Sequence, residues 1–246
     1  KTARKTHLAR IYGQKRFCWS SPFFSVPESE KQKIQKIWES TNKKLSRFSP
    51  PMNKKAPGRD GIFLHCLLGA SKYLEKLLEV MESQGNVPKG FKESLVFPLF
   101  KKGNKRIFDC YRTLSLRPII SNYLFRSYLP TCREITKQTV LPFQFNRPKH
   151  NCQDNVFILA SLIDMCRASK IPLFLFFADL RKAFDSVSRE FLFKILQQRC
   201  PPKLADILIR LHQGAILTFE ELQTLTESGV LQGDTLAAIL FVWVMD

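Results

Sequence analysis

In "LFLFFADLRKAFDSV", residues 173–187, a run of apolar residues ends on one aspartate, Asp179, and a second, Asp185, follows after Arg181 and Lys182. A lone ionised carboxylate is costly to desolvate, so Asp179 calls for a cation, a capping role or solvent. Three chemistries are open to it. It can cap the helix that follows, pair with Arg181 or Lys182, or ligate Mg²⁺, which takes one or two carboxylates together with waters and substrate phosphates. Upstream, "FPLFKKGNKRIFDCYRTLSL" (97–116) brings Lys101 and Lys102 to a strand end and places Arg112 after an aromatic residue. A lysine point charge and a bidentate arginine suit phosphate oxygens. A solvated basic hairpin is the plainer alternative. "KAPGRDG" (55–61) and "GVLQGD" (229–234), as bare strings, are Pro- and Gly-bounded turns.

The charge distribution limits what these residues act on. The chain has 246 residues and a net charge of +18. Residues 1–60 carry 15 basic and 4 acidic residues, and residues 89–117 carry 8 and 2, whereas residues 118–246 are nearly balanced with 14 and 12. A basic first half beside a near-neutral half containing both aspartates suits a polyanion gripped by one part and processed by another. The first 16 residues alone, with six Lys or Arg, read more simply as a solvated tail. Seven scattered cysteines without a C-x-x-C argue against a disulfide framework and for a reducing intracellular compartment, nucleus or cytoplasm. His150 and Cys152 lack a second pair at zinc spacing. The apolar run Leu236–Met245 is ten residues, half a bilayer span, so no membrane partner is expected.

The elements that must position these residues follow from periodicity. Ile34, Ile37, Trp38 and Leu45 share one face of a helix over 29–47, and residues 49–61 form a loop. Leu67, Leu68, Leu74, Leu77, Leu78 and Met81 predict a helix ending near Gly85. Residues 94–100 read as a strand made irregular or peripheral by Pro98, and residues 118–140 as helical. Asp154 is expected to cap a helix over 155–168 with Val156, Leu159 and Ile163 on its apolar face. Residues 171–179 predict a buried strand. A helix from Ser188 follows, broken at "CPP" (200–202), then another closed by Gly214, a short hairpin over 215–228, and a last helix from Leu236. The class is α+β.

In their order and spacing these blocks resemble the reverse transcriptase domain of non-LTR (LINE-type) retrotransposons. Such domains carry a KAPGPDG-like block, a PLFKKGD…YRPISL-like block, a Q-x-G-F-R segment with a downstream Asp, then D-x-x-KAFD and G-V-x-QGD-x-L-x-P. The resemblance covers roughly residues 28–246 and is most specific in "DLRKAFDSV" and "GVLQGDTLA". It implies a right-hand polymerase fold with fingers and a partial palm and no thumb. Residues 1–27 would be a basic arm, 28–170 a fingers-like helical region with triphosphate-binding strands, and 171–246 the partial palm. The implied activity is RNA-directed DNA polymerisation (nucleotidyl transfer) on an RNA template and DNA primer, with deoxynucleoside triphosphates and Mg²⁺. By that resemblance Asp179 is the catalytic residue and metal ligand at the end of a central palm strand. Lys101 or Lys102 and Arg112 hold the triphosphate. Phe184 packs under the incoming sugar, and Gln232 and Gly233 shape the pocket floor. Asp185 is expected to be structural, capping the helix after it.

The chain also departs from the family pattern. Arg59, Thr113 and Ala238 stand where the family has Pro, "QFNRP" (144–148) is one residue short, which displaces Arg147, and the stretch 214–228 is short enough to disturb the strand register. No two aspartates are adjacent anywhere in the sequence, so the family's aromatic-x-Asp-Asp block, which supplies the remaining metal carboxylates, has no counterpart. The chain starts at Lys1 and stops at Asp246 within an apolar helical pattern, and reads as a fragment truncated before that block. Two functions remain: a fragment of a reverse transcriptase inactive by itself, or a non-catalytic nucleic-acid-binding remnant of a decayed retrotransposon.

Overall fold

The computed structural model describes residues 56–246 apart from Leu68, Pro142, Phe143 and 145–150, and before them Gln32, Gln35 and Lys36, all three helical. The rest of the helix expected over 29–47, and Arg147, lie outside the described residues. Helix α1, Ser71–Gln84, buries Leu74, Leu78 and Met81 along one stripe and ends at Gly85 in the left-handed region, φ 60°. Leu67 belongs not to α1 but to a separate 3₁₀ turn, Leu64–Leu67.

One turn, α2 (Lys89–Lys92), leads into strand β1, Glu93–Phe100, which pairs antiparallel with β2, Tyr111–Leu116. The short stretch after Gly214 forms a regular hairpin of β3 (Ile216–Phe219) and β4 (Leu222–Leu225), with Ile216 opposite Leu225 and Phe219 opposite Leu222. Strand β3 also lies parallel to β1, giving a four-stranded sheet in the order β2-β1-β3-β4. The contact with β3 covers only Glu93–Leu95, so β1 is internal at its start and open on that side at Pro98, where the missing N–H costs no ladder bond.

The main core is helical. It joins α1 to α3 (Ile119–Arg126), α4 (Leu129–Thr139), α6 (Arg189–Arg199), α7 (Pro202–His212) and α8 (Ala237–Met245). Helix α5, Cys152–Ala168, is not part of it and buries no residue. Its cap also differs from expectation. Asn151 accepts hydrogen bonds from the backbone N–H groups of Gln153 and Asp154, and Asp154 accepts one back from the Asn151 N–H, completing a capping box. In α7, Leu204, Leu208 and Leu211 are wholly inaccessible to solvent, as are Leu240 and Trp243 of α8, whose indole Nε1 donates to Thr136. A second, smaller cluster of Val96, Leu217 and Leu231 packs the sheet against loop 229–234.

The segment expected to be the buried palm strand is neither buried nor a strand. Residues 171–180 have no regular structure, and Phe174 and Phe176 are 91% and 92% exposed. Among the described residues no strand pairs with this segment. Without a ladder partner its backbone groups turn to water, and the apolar side chains go with them. Among the described residues the six cysteines are free thiols, and no helix is long and apolar enough to cross a membrane.

One ion pair ties α6 to the end of α8. Arg199 Nη2 lies 2.8 Å from Asp246 Oδ2, both side chains are buried, and Asp246 Oδ1 accepts the Leu141 N–H at 2.8 Å. Replacing Arg199 by Met leaves that carboxylate buried without a cation, a loss of about 3–5 kcal/mol. Chemical denaturation of Arg199→Met should show a loss of that order, and Arg199→Met/Asp246→Leu should recover most of it.

Candidate functional site

The β1–β2 hairpin, the turn 181–186 and the loop 229–234 enclose a cleft of about 750 Å³. Lys101, Arg112, Asp179, Phe184, Gln232 and Gly233, six of the seven residues selected from sequence, line it. Lys102, the seventh, is exposed and lies off the cleft wall. The Lys101 N–H bonds the Cys110 carbonyl at 2.9 Å, which closes the hairpin loop beside Arg112, itself paired with Leu99 in the ladder. Lys102, Lys105 and Arg106 form the exposed basic tip of that loop, with Lys105 Nζ 5.7 Å from the Phe100 ring centroid. Phe184 is half-buried and stacked on Phe241, ring centroids 4.5 Å apart.

Loop 229–234 joins the other two walls through its backbone. The Ser115 N–H donates to Gln232 O at 2.7 Å, the Val230 N–H to Phe184 O at 2.9 Å, and the Gly229 N–H to Val187 O at 2.8 Å. Both loop glycines are required. Gly233, with φ 108°, comes so close to β2 that an added Cβ would sit 2.5 Å from Ser115 O. Gly229, with φ 84°, would place one 3.1 Å from the Asp185 backbone. "KAPGRDG" supplies a comparable contact, since a Cβ on Gly58 would meet Pro118 N at 2.6 Å. Residues 56–61 are therefore a turn docked against the β2–α3 junction rather than a free surface loop.

Asp185 does not cap the helix that follows. Ser188 does, its hydroxyl accepting the Phe191 N–H. Asp185 instead lines the cleft and is only 9% exposed. Burial raises its pKa from 3.8 to about 6, against the pull of Lys182 and Lys101.

Two cations on the turn are held by a residue that sequence reasoning missed. Asp109, from the hairpin loop, accepts from Arg181 Nη2 at 3.1 Å and from Lys182 Nζ at 2.7 Å. Lys182 adopts φ 52°, an uncommon conformation for a residue with a Cβ. Asp109 thus bridges the hairpin to the turn across the cleft mouth. The signal for it was an acid inside an otherwise basic stretch, 101–112.

The donors around the cleft are few for the implied Mg²⁺. Among the described residues no three His, Cys, Asp or Glu side chains are grouped to hold an ion. Asp109 is engaged by two cations, and Asp179 stands at the end of the exposed segment 171–180. This donor set does not fit a resident metal pair, whose two ions lie about 3.5–4 Å apart and need several carboxylates between them.

No protein-family model matches the chain. It is 25% identical over 152 residues to the transposon TX1 uncharacterized 149 kDa protein of Xenopus laevis, an overlap of 59% of this chain and 12% of that protein. It is 21% identical over 223 residues to the retrovirus-related Pol polyprotein from type-1 retrotransposable element R2 of Nasonia vitripennis, covering 87% of this chain and 21% of the polyprotein. The chain is retrotransposon-related. It spans about an eighth of the first relative and a fifth of the second.

Two outcomes follow from the cleft electrostatics. Asp185 binds its proton more tightly folded than unfolded, so the stability it contributes is present below pH 3.8 and lost as pH rises through about 6. Asp185→Asn should therefore raise the melting temperature at pH 7.5 and leave it nearly unchanged at pH 4. Asp109→Asn frees Arg181 and Lys182, and since exposed pairs are worth about 0–1 kcal/mol, it should tighten tripolyphosphate binding by a few-fold with little change in melting temperature.

Proposed function

We propose that this chain is the fingers and upper palm of a reverse transcriptase of a non-LTR retrotransposon, with a right-hand polymerase fold. Its basic surface would hold an RNA template and DNA primer, and its cleft a deoxynucleoside triphosphate. The observation that carries the reading is the convergence on one cleft of Lys101 and Arg112, Asp179 and Phe184, and Gln232 and Gly233, drawn from three separate stretches of sequence. Lys101 and Arg112 are the phosphate ligands, a mobile point charge facing a planar fork. Phe184, backed by Phe241, is a flat wall for the sugar and excludes a 2′-hydroxyl by its bulk. The Gln232–Gly233 turn meets the base pair being formed. Asp179 faces the reacting end. Mg²⁺ belongs to this proposal only together with carboxylates that the 246 residues do not carry, since the sequence has no Asp-Asp pair.

A second reading, a nucleic-acid-binding remnant without chemistry, is favoured by the exposed segment 171–180 and by the clasp of Asp109 on Arg181 and Lys182. The two differ in whether the cleft takes a nucleotide. Both attribute polymer binding to the basic surface. Affinity for an RNA–DNA hybrid should fall with salt on a log–log slope of about −0.9 per phosphate neutralised, taking the duplex value. The same protein should not extend the primer with Mg²⁺ present. Salt-independent binding would contradict the basic surface as the grip, and Mg²⁺-dependent extension would contradict the account of the missing carboxylates. Polymer binding without any affinity for a deoxynucleoside triphosphate would select the second reading.

A further inference from the structure

We infer that Arg117 and Asp234 are a positioning pair, whose buried contact behind the Gln232–Gly233 turn holds that turn at the cleft floor. The inference deepens the proposed function, because it assigns to these two residues the geometry of the nucleotide-facing turn. Arg117 Nη2 lies 3.1 Å from Asp234 Oδ2, and each side chain is 2% exposed. The other carboxylate oxygen, Oδ1, accepts the Leu236 N–H at 3.1 Å, so Asp234 also starts the approach to α8. Arg117 is itself fixed in place. Gly58 is pressed against its carbonyl carbon, and that carbonyl accepts from Asn122 Nδ2 at 3.3 Å. The pair therefore links the end of β2 to the exit of loop 229–234, two residues beyond the Ser115–Gln232 hydrogen bond.

Arg117 Nε, Nη1 and Nη2 and Asp234 Oδ2 are all buried and make no hydrogen bond among the described residues, so the two side chains meet as a charge contact, with Asp234 the carboxylate against Arg117. His212 Nε2 stands 3.8 Å from Asp234 Oδ2. Its Nδ1 lies 2.8 Å from Leu208 O, and a carbonyl only accepts, so Nδ1 carries the proton and Nε2 presents a lone pair to the carboxylate. Burial pushes His212 down to about 4, which keeps it neutral near neutrality despite Asp234. At the upstream end of the same loop Arg189 is satisfied by carbonyls, donating to Gly229 O and His212 O and to Thr226. The loop is thus anchored at both ends by buried arginines, and the downstream anchor is an ion pair. A buried ion pair adds little stability over apolar residues of the same volume. What it supplies here is one fixed arrangement of the turn.

The test compares Arg117→Met, Asp234→Asn and Arg117→Met/Asp234→Leu with the wild-type chain in three measurements: affinity for mant-dATP, affinity for duplex DNA at the same salt, and exchange of the Ser115 amide. For the single variants we expect mant-dATP affinity to fall by about tenfold or more, duplex affinity to hold, and the Ser115 amide to exchange faster while α7 amides stay protected. The double variant should regain melting temperature but not mant-dATP affinity, an outcome that a purely stabilising role does not produce. Unchanged Ser115 exchange in the variants that fold overturns the inference. If the wild-type chain itself fails to bind mant-dATP, the nucleotide reading of the cleft is what fails. Exchange then decides alone, faster at Ser115 upholding the pair and unchanged refuting it.

Discussion

The cleft depends on how closely the backbone of loop 229–234 approaches its two neighbours. At Gly233 even a methyl group would stand 2.5 Å from Ser115 O, and at Gly229 3.1 Å from the Asp185 backbone. Because these contacts are backbone to backbone, the loop transmits the position of the β1–β2 hairpin to the 181–187 turn without a flexible side chain between them. The hairpin sets Lys101 and Arg112, the turn sets Phe184 and Asp185, and the loop sets Gln232. Disturbing the loop separates the cationic wall from the acidic one.

Charge is handled differently at the three depths of the molecule. At the surface, Lys102, Lys105 and Arg106 are solvated and available to a polyanion. Around the cleft, opposite charges meet in half-exposed contacts such as Asp109 with Lys182, which water screens and a competing phosphate can replace. In the interior, Arg117–Asp234 and Arg199–Asp246 are nearly inaccessible and act as fixed geometry. His212 and Asp185 titrate in opposite senses over one range. His212 destabilises the fold as pH falls from about 6.5 to 4, and Asp185 as pH rises from about 4 to 6. Acid stability therefore reflects a partial cancellation between the two.

Local punctuation was the most legible part of the sequence. Gly85, "CPP" and Gly214 mark real helix ends, since each acts through its own backbone restriction. The grouping of Lys101, Arg112, Asp179, Phe184, Gln232 and Gly233 was expected from a resemblance, not from spacing, and a list of blocks gives no distances between them. Caps were misassigned by a few residues, to Asp154 instead of Asn151 and to Asp185 instead of Ser188, because any nearby Asp, Asn or Ser carries the same propensity. The parallel contact of β3 with β1 left no trace in either strand, as is usual for pairing between distant segments. Residues 171–179 were misread for a different reason. An apolar run shows what a segment would bury if a partner were present, and the described residues provide no strand for it. Arg117 gave no signal at all, being one basic residue among many until its burial beside Asp234 was seen.

The central claim, that this cleft is a nucleotide phosphate site built by the hairpin and not a general basic surface, is tested most directly by the contrast between adjacent lysines. Equilibrium binding of mant-dATP to Lys101→Ala, Arg112→Ala and Lys102→Ala discriminates because only the first two side chains line the cleft. The account predicts losses of about tenfold or more for Lys101→Ala and Arg112→Ala, and no more than about twofold for Lys102→Ala. Equal losses at Lys101 and Lys102 would contradict it.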